Sequence, residues 1–522
     1  MGVYTTVIAP ACIALILFFQ QCRTWIQRRS VEAKASASGC GDVPVMPNKL
    51  PGGIERYLVR FSLKLDKLDF SEDVARRPFT RMGRYTYRSN TLFSNPTIYT
   101  AEPANVQALL STQTSDFEYG SFREDSLKEV IGHGIFTTEG PSWKRFRRQL
   151  KPHFSRENVS NLEDLKHHFH TLGKVFPDIH DESGWLSTAT DVVPLFSRFA
   201  TDTSTELLFG ESANSQTRAM IGSSVQDESE FSSALDYVLS YIIWRARMDF
   251  LGWLLPSGKF RRSIGTIHNY VSRYVDSALN KEPLTRSKDK TVLLEELIAQ
   301  TQSPTELRDQ ILQLFIGGRT PTAALLSHAM LFLARNPQQY AEARAKVLGF
   351  FRSDDELTFD SIRECKLLTY ILYETMRLLP PTALSLPRCA KRDTTLPCGG
   401  GPDETQPILV RRGEFVRFSH YTMYRRPDIW GSDAEEFRPM RWEGRSIGAE
   451  YIPFSMGPRI CLGQQLALNE ARYVLARMLM MFDRIEHVDA HLPIKTKFSL
   501  VTAVQNGVRL RMHRAADVEG FA

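Results

Sequence analysis

Apolar residues recur at helical spacing along most of this chain. The longest such run covers residues 307–337, with Leu307, Ile311, Leu314 and Phe315 on one side and Leu325, Leu331 and Phe332 on the other. Between them stands Gly317-Gly318-Arg319-Thr320-Pro321-Thr322. Glycine and proline cost a helix interior about 1 and 3 kcal/mol per residue. Pro321 has no N–H for the carbonyl of Gly317, and its ring clashes with that carbonyl. The pattern therefore predicts a buried helix kinked at its centre. A second amphipathic helix is predicted over residues 464–482. Short runs with strand character fall at 84–87, 97–101, 408–410 and 414–417, while the Gly/Pro-rich residues 396–406 read as a loop. The fold class expected is mainly α with small β-sheets, and no shift of composition divides the body after residue 54.

The first residues carry a different pattern. Residues 3–19 are uncharged and mostly apolar, and Arg23, Arg28 and Arg29 follow them. As a helix this segment is about 26 Å long, a little short of a hydrocarbon core of roughly 30 Å, with Trp25 placed for the interface. The arginines behind it put the rest of the chain on the cytosolic side. There is no charge ahead of the apolar run and only a poor cleavage site, which favours an uncleaved anchor over a secretory signal. Residues 1–6 also fit a loose myristoylation pattern, which a spanning helix makes redundant. Residues 30–53 are rich in Ala, Ser and Gly, then hold Pro44, Pro47, Pro51, Gly52 and Gly53. They read as a linker hinging an anchor (1–29) on a single body (54–522).

Composition narrows the function classes. Across 522 residues the net charge is +6, from 65 basic and 59 acidic side chains. That excess is too modest to imply nucleic acid, and suits a membrane surface or an acidic protein equally well. The 7 cysteines are odd in number and scattered without C-x-x-C pairing. This argues against a disulfide framework or a structural zinc site and for a reducing compartment.

Candidate chemistry centres on FSMGPRICLG, residues 454–463. Here a cysteine stands where a glycine-rich loop turns into a helix, so its sulfur is expected to face backbone N–H groups and the positive end of that helix. Gly457 and Gly463 allow close backbone approach to a flat ligand, Phe454 shields the sulfur, and Arg459 is placed to meet an anionic group on the same ligand. Such a set suits thiolate ligation of haem iron. Elsewhere, Glu374 and Arg377 are spaced i, i+3 on one helix face, and Trp143 and Arg147 are spaced i, i+4 on another. The run Lys166-His167-His168-Phe169-His170 reads as a solvated helix face rather than a metal site. Asn158 opens a glycosylation sequon that a cytosolic body leaves unused, and residues 237–256 suit either core or a membrane-dipping surface.

The 454–463 stretch resembles the haem loop of the cytochrome P450 superfamily, F-x-x-G-x-R-x-C-x-G, with every fixed position present. That resemblance implies Cys461 as the axial ligand of haem b (iron protoporphyrin IX). It also implies Glu374, Arg377 and Arg441 as the family's structural Glu-Arg-Arg triad, with Phe437, Pro439 and Trp442 around the last of them. Trp143, Arg147, Arg388 and Arg459 then fall at positions that meet the haem propionates, where arginine forks suit carboxylates. GGRTPT resembles the family's oxygen-binding helix, [A/G]-G-x-[D/E]-T-[T/S], with two departures: Thr320 replaces the acid and Pro321 the oxygen-activating threonine. Gly317 and Gly318 keep the small positions, and Thr320 or Thr322 is left as the hydroxyl that delivers protons.

The resemblance covers nearly all of the body and is greatest to the fungal alkane and fatty-acid ω-hydroxylase branch. It implies monooxygenation of an aliphatic C–H in a hydrophobic substrate, either a long acyl or alkane chain or a polyketide or terpenoid. O2 would be consumed, with electrons from NADPH through a separate NADPH–cytochrome P450 reductase. The implied setting is the endoplasmic reticulum membrane, single-pass, in contact with membrane lipid, the catalytic body facing the cytosol. Lys144, Arg145, Arg148 and Lys151 offer a basic face for the reductase. The altered oxygen-helix motif keeps open a haem-thiolate isomerase or dehydratase that needs no external electrons. A non-catalytic haem sensor is the remote third reading.

Overall fold

The computed structural model describes residues 34–515, apart from 36, 51–52, 54, 56–67, 92–94, 121–126, 155–161, 177–184, 186–188, 222–225, 249–254, 256, 281–291, 498 and 500. The described chain is mainly helical with small sheets. Five helices frame the region of interest: α1 (Gly140–Leu150), α2 (Val192–Phe209), α3 (Pro304–Arg335), α4 (Lys366–Leu378) and α5 (Gln464–Met481).

The central helix is α3. Ser303 caps it, its hydroxyl accepting from the Glu306 N–H at 3.3 Å. The helix then runs unbroken for 32 residues with Pro321 inside it. The helix is thus carried through Pro321, which has no N–H for the Gly317 carbonyl. Packing is the reason: α2, the helix Gly258–Asn280, α4 and α5 all lie against α3. Its side chains from Leu325 to Ala334 are all buried. Burial at this scale outweighs a propensity cost of a few kcal/mol.

A five-stranded sheet is built from β1 (Thr86–Ser89), β2 (Thr97–Thr100), β3 (Phe117–Glu118), β4 (Arg388–Ala390) and β5 (Phe415–Phe418), in the order β1-β2-β5-β4-β3. Only the β2–β5 pair is parallel, with Thr97 opposite Phe415. The short antiparallel β3–β4 pairing sets Glu118 opposite Cys389, and so brings residue 119 beside Arg388. The loop expected at 396–406 is corrected. Thr394–Gly400 forms a strand paired with Gln406–Val410, with an irregularity between Leu396 and Gly400. Glycines in this strand mark a close backbone approach.

What approaches is the segment expected to be a hinge. The Gly41 N–H donates to the Pro407 carbonyl at 2.8 Å and the Gly401 N–H to the Asp42 carbonyl at 3.1 Å. A Cβ on Gly41 would stand 2.5 Å from the Gly401 nitrogen. Further on, Met46 donates to the Arg88 carbonyl and Arg88 to that of Pro44. Residues 41–46 are thus hydrogen-bonded to the body.

Among the described residues no helix is long and apolar enough to cross a membrane. The expected anchor at 1–29, the myristoylation pattern and Asn158 lie outside the described residues. Within 237–256, Val238, Leu239 and Ile242 are core. In the histidine run His167 and His170 are exposed, but His168 is buried and lies 4.0 Å from the Glu206 carboxylate.

Candidate active site

A buried charge network is centred on Glu374. Glu374 and Arg377 on α4 are both fully buried. Arg377 donates from Nε and Nη2 to the two Glu374 oxygens, each at 2.9 Å. Arg377 also donates to the backbone carbonyls of Tyr424, Ala434 and Glu436. The same carboxylate accepts from Arg441 Nε at 3.1 Å, the Arg438 N–H at 2.9 Å and Trp442 Nε1 at 3.0 Å. Arg441 is fixed in turn by Asp433, whose carboxyl that hydrogen bond pulls down to about 2. The pair is therefore part of a saturated core network that ties α4 to the segment 424–442, and its energetics are those of buried charge rather than of a surface pair.

The cysteine loop is closed by its own backbone, the Cys461 N–H donating to the Phe454 carbonyl at 2.9 Å. Gly457 has φ +69, and a Cβ there would stand 2.0 Å from the Leu110 carbonyl oxygen. Protein backbone is thus what requires this glycine. Gly463 is the N-cap residue of α5. The Cys461 residue is exposed; desolvation pushes its pKa up, while the Gly463 N–H and the Arg147 guanidinium act to lower it. The expected bias toward thiolate is therefore outweighed by desolvation. A bound metal ion would ionise such a thiol directly.

Three arginines and two aromatic rings lie around this loop. Arg147 on α1 donates to the Ile460 carbonyl at 3.0 Å, and burial lowers its pKa. Arg459 donates to the Thr138 carbonyl at 3.1 Å. Its guanidinium sits 4.3 Å from the Trp143 ring, and that of Arg147 sits 5.7 Å from the same ring. On its other side Arg459 lies 4.9 Å from the ring of Tyr119, over which Arg388 stands at 3.4 Å. Trp143, Arg147, Arg388 and Arg459 are thus brought together, with Tyr119 among them. No sequence pattern singled out Tyr119; only the β3–β4 register places it.

Residues 131–139 join this cluster to α3. Asp309 accepts from the His133 N–H at 2.9 Å and Gln313 from the Phe136 N–H at 2.7 Å. Gln313 also donates to the Ile131 carbonyl at 2.9 Å. So anchored, the Phe136 ring lies 3.3 Å from where a Gly317 Cβ would be, and a Gly318 Cβ would stand 3.1 Å from Ser204 Oγ on α2. The small pair fits two different neighbours on two sides of the helix. Arg319 is buried and donates to Thr201 Oγ1 at 2.9 Å, also on α2.

Along α3 the incompletely buried positions between 314 and 324 are Leu314, Gly317, Gly318, Thr320, Pro321 and Ala324. All but Gly318, which faces α2, fall on one helical stripe. Thr320 shares it with Gly317, and its Oγ1 is buried with no hydrogen-bond partner among the described residues. Thr322 is buried and shares a face with Gly318, toward α2. The two candidate hydroxyls therefore point to different surroundings. The basic face changes as well: Arg145 makes a two-point pair with Glu306 at 2.8 and 3.1 Å, tying α1 to the first turn of α3. Lys144, Arg148 and Lys151 remain, with Trp143, Arg147 and Pro152, around an open depression of about 420 Å³.

The residues fit a haem. An exposed cysteine, and beside its loop three guanidiniums for two carboxylates, suit that group. The family model for Cytochrome P450 matches residues 88–509. Among curated relatives, the Cytochrome P450 monooxygenase g430 of Fusarium sp is 38% identical over 501 residues, covering 93% of this chain and 86% of the relative. The Cytochrome P450 monooxygenase alt2 of Alternaria solani is 38% identical, covering 87% and 88%. Cytochrome P450 52A12 of Debaryomyces hansenii is 36% identical, covering 91% and 92%.

Proposed function

Because this chain belongs to the cytochrome P450 family, and is an oxidoreductase of that type, we propose that it hydroxylates an aliphatic C–H of a long, hydrophobic substrate. The observation that carries this reading is the exposed Cys461 in a loop flanked by Arg147 and Arg459, with α3 packed against the helix that follows. Apolar side chains at incompletely buried positions on and against α3 support the substrate class: Phe136, Leu314 and Ala324. The 52A relatives support a long aliphatic chain, and the two fungal monooxygenases support a secondary metabolite; the common chemistry is an apolar body with an unactivated C–H.

Haem bound here supplies dioxygen activation for monooxygenation. The chain's residues divide the remaining work. Cys461 ligates the iron through sulfur. Arg147, Arg388 and Arg459 neutralise the carboxylates, and Trp143 keeps two of those guanidiniums against its ring. The unpaired Thr320 hydroxyl holds a water or passes a proton, while Thr322 faces α2. Pro321 frees the Gly317 carbonyl on the same stripe, giving that water a second partner. Electrons come from NADPH through a separate reductase that docks on Lys144, Arg148 and Lys151 at an endoplasmic reticulum membrane, held there by residues 3–19.

The test is expression with a reductase, an absorption spectrum of the reduced protein under carbon monoxide, and profiling of products. A red-displaced Soret band, product that needs NADPH, and docking that weakens as salt rises are expected. A folded, haem-loaded protein lacking that band overturns the reading. The substitution of Pro321 favours one alternative, an isomerase or dehydratase: turnover of a hydroperoxide without NADPH or reductase would select it.

A further inference from the structure

Tyr119 stands between two of the arginines assigned to the haem carboxylates. The Arg388 guanidinium lies 3.4 Å from its ring centre and that of Arg459 lies 4.9 Å away. Three features fix the ring. The β3–β4 pairing of Glu118 with Cys389 sets the register. The Tyr119 N–H donates to Glu139 Oε1 at 2.7 Å. Gly120 then turns the chain at φ +66. Glu139 is also 3.9 Å from Arg459, so one carboxylate holds both the ring's backbone and one of the guanidiniums.

Two like charges brought onto one site repel each other. An aromatic ring presents its negative face to a cation and keeps a guanidinium planar against it. We propose that Tyr119 is a positioning residue for the haem carboxylates: its ring spaces and orients Arg388 and Arg459 so that both reach the dianion. The role belongs to the ring and not to the hydroxyl. The proposal rests on the family reading above, and its failure is separable from the failure of that reading.

The experiment measures haem release to an excess of apomyoglobin from full-length protein bearing Tyr119→Phe or Tyr119→Leu. Wild type must first show the red-displaced Soret band of its reduced carbonyl; its absence strikes at the family reading and not at Tyr119. With that band present, Tyr119→Phe should release haem at the wild-type rate, and Tyr119→Leu on the order of tenfold faster. In an Arg388→Gln background the Leu substitution should add less than it does alone, because the ring then orients Arg459 only. Equal rates for Leu and wild type overturn the proposal. So does a Phe variant as fast as Leu, which would assign the role to the hydroxyl. Full additivity with Arg388→Gln overturns it too, since that is how a merely structural residue behaves. Should Leu prevent folding, Tyr119→Met is judged by the same three criteria.

Discussion

Thr320→Val tests whether fold stability and proton delivery part company within one helix. The Thr320 hydroxyl is buried without a partner among the described residues. Leaving a hydroxyl unpaired inside a protein costs roughly 1–3 kcal/mol. Valine keeps the branched shape and removes that group, so the resting protein should be unchanged or more stable by about 1 kcal/mol. Reaction should suffer instead. A positioned acid–base group contributes about 10² to 10⁴ in rate. Water retained by the free Gly317 carbonyl softens the loss, so product per NADPH consumed should fall on the order of 100-fold, the low end of that range. The missing electrons should appear as peroxide. Thr322→Val is the control: this hydroxyl is buried at 2% exposure on the face of Gly318, which meets Ser204. Its removal should alter melting and leave coupling alone. The assay follows NADPH oxidation, peroxide and product in a system reconstituted with reductase, at matched haem content. Full coupling in Thr320→Val, or a loss that follows Thr322 instead, refutes the assignment.

Two further outcomes follow from buried charge. Glu374→Ala strands the Arg377 guanidinium, itself at 0% exposure, and should cost about 3–5 kcal/mol in urea unfolding at constant m; a cost under about 1 kcal/mol would mean that the network behaves like a surface pair. His328 and His420 are held to about 4 by burial, against weaker upward pulls from backbone bonds at Leu379 and Thr382. Below their unfolded value of 6.5 the unfolded chain takes up protons that the folded chain refuses until about 4. Stability should therefore be full above that value and fall across this window, by up to about 1.4 kcal/mol per pH unit for each histidine. Urea unfolding at successive pH values checks this, and a slope that survives in the double Asn variant contradicts it.

Spacing made part of this site legible before any coordinates. Glu374 and Arg377, three apart on a periodic helix, had to share a face, and the cysteine loop had to precede a helix. Depth was not legible: an i, i+3 pair looks the same at a surface as it does at 0% exposure. Nor were contacts between distant segments. Tyr119 reaches Arg388 and Arg459 only through the β3–β4 register, and Glu139 through a loop anchored on Asp309 and Gln313. Local rules misled where tertiary packing prevailed. The Gly/Pro-rich run from residue 396 reads as a loop, yet Thr394–Gly400 is a strand because it pairs with Gln406–Val410.

The two sides of the site differ in how fully their polar groups are satisfied. At the end of α4, Glu374 meets donors from Arg377, Arg438, Arg441 and Trp442, and Arg377 also reaches three backbone carbonyls. Such a network has one low-energy arrangement, and any change to it is felt as lost stability. On α3 the opposite holds: a hydroxyl without a partner and a carbonyl deprived of its donor lie on one accessible stripe. Unsatisfied groups are costly, and a fold retains them where a ligand or reaction completes them. Substitutions in this network should therefore cost folding stability. Substitutions on the stripe should change what is done with oxygen while the fold stays intact. The Thr320-Pro321 departure falls wholly on the second side, apart from the fixed positions of the 454–463 loop.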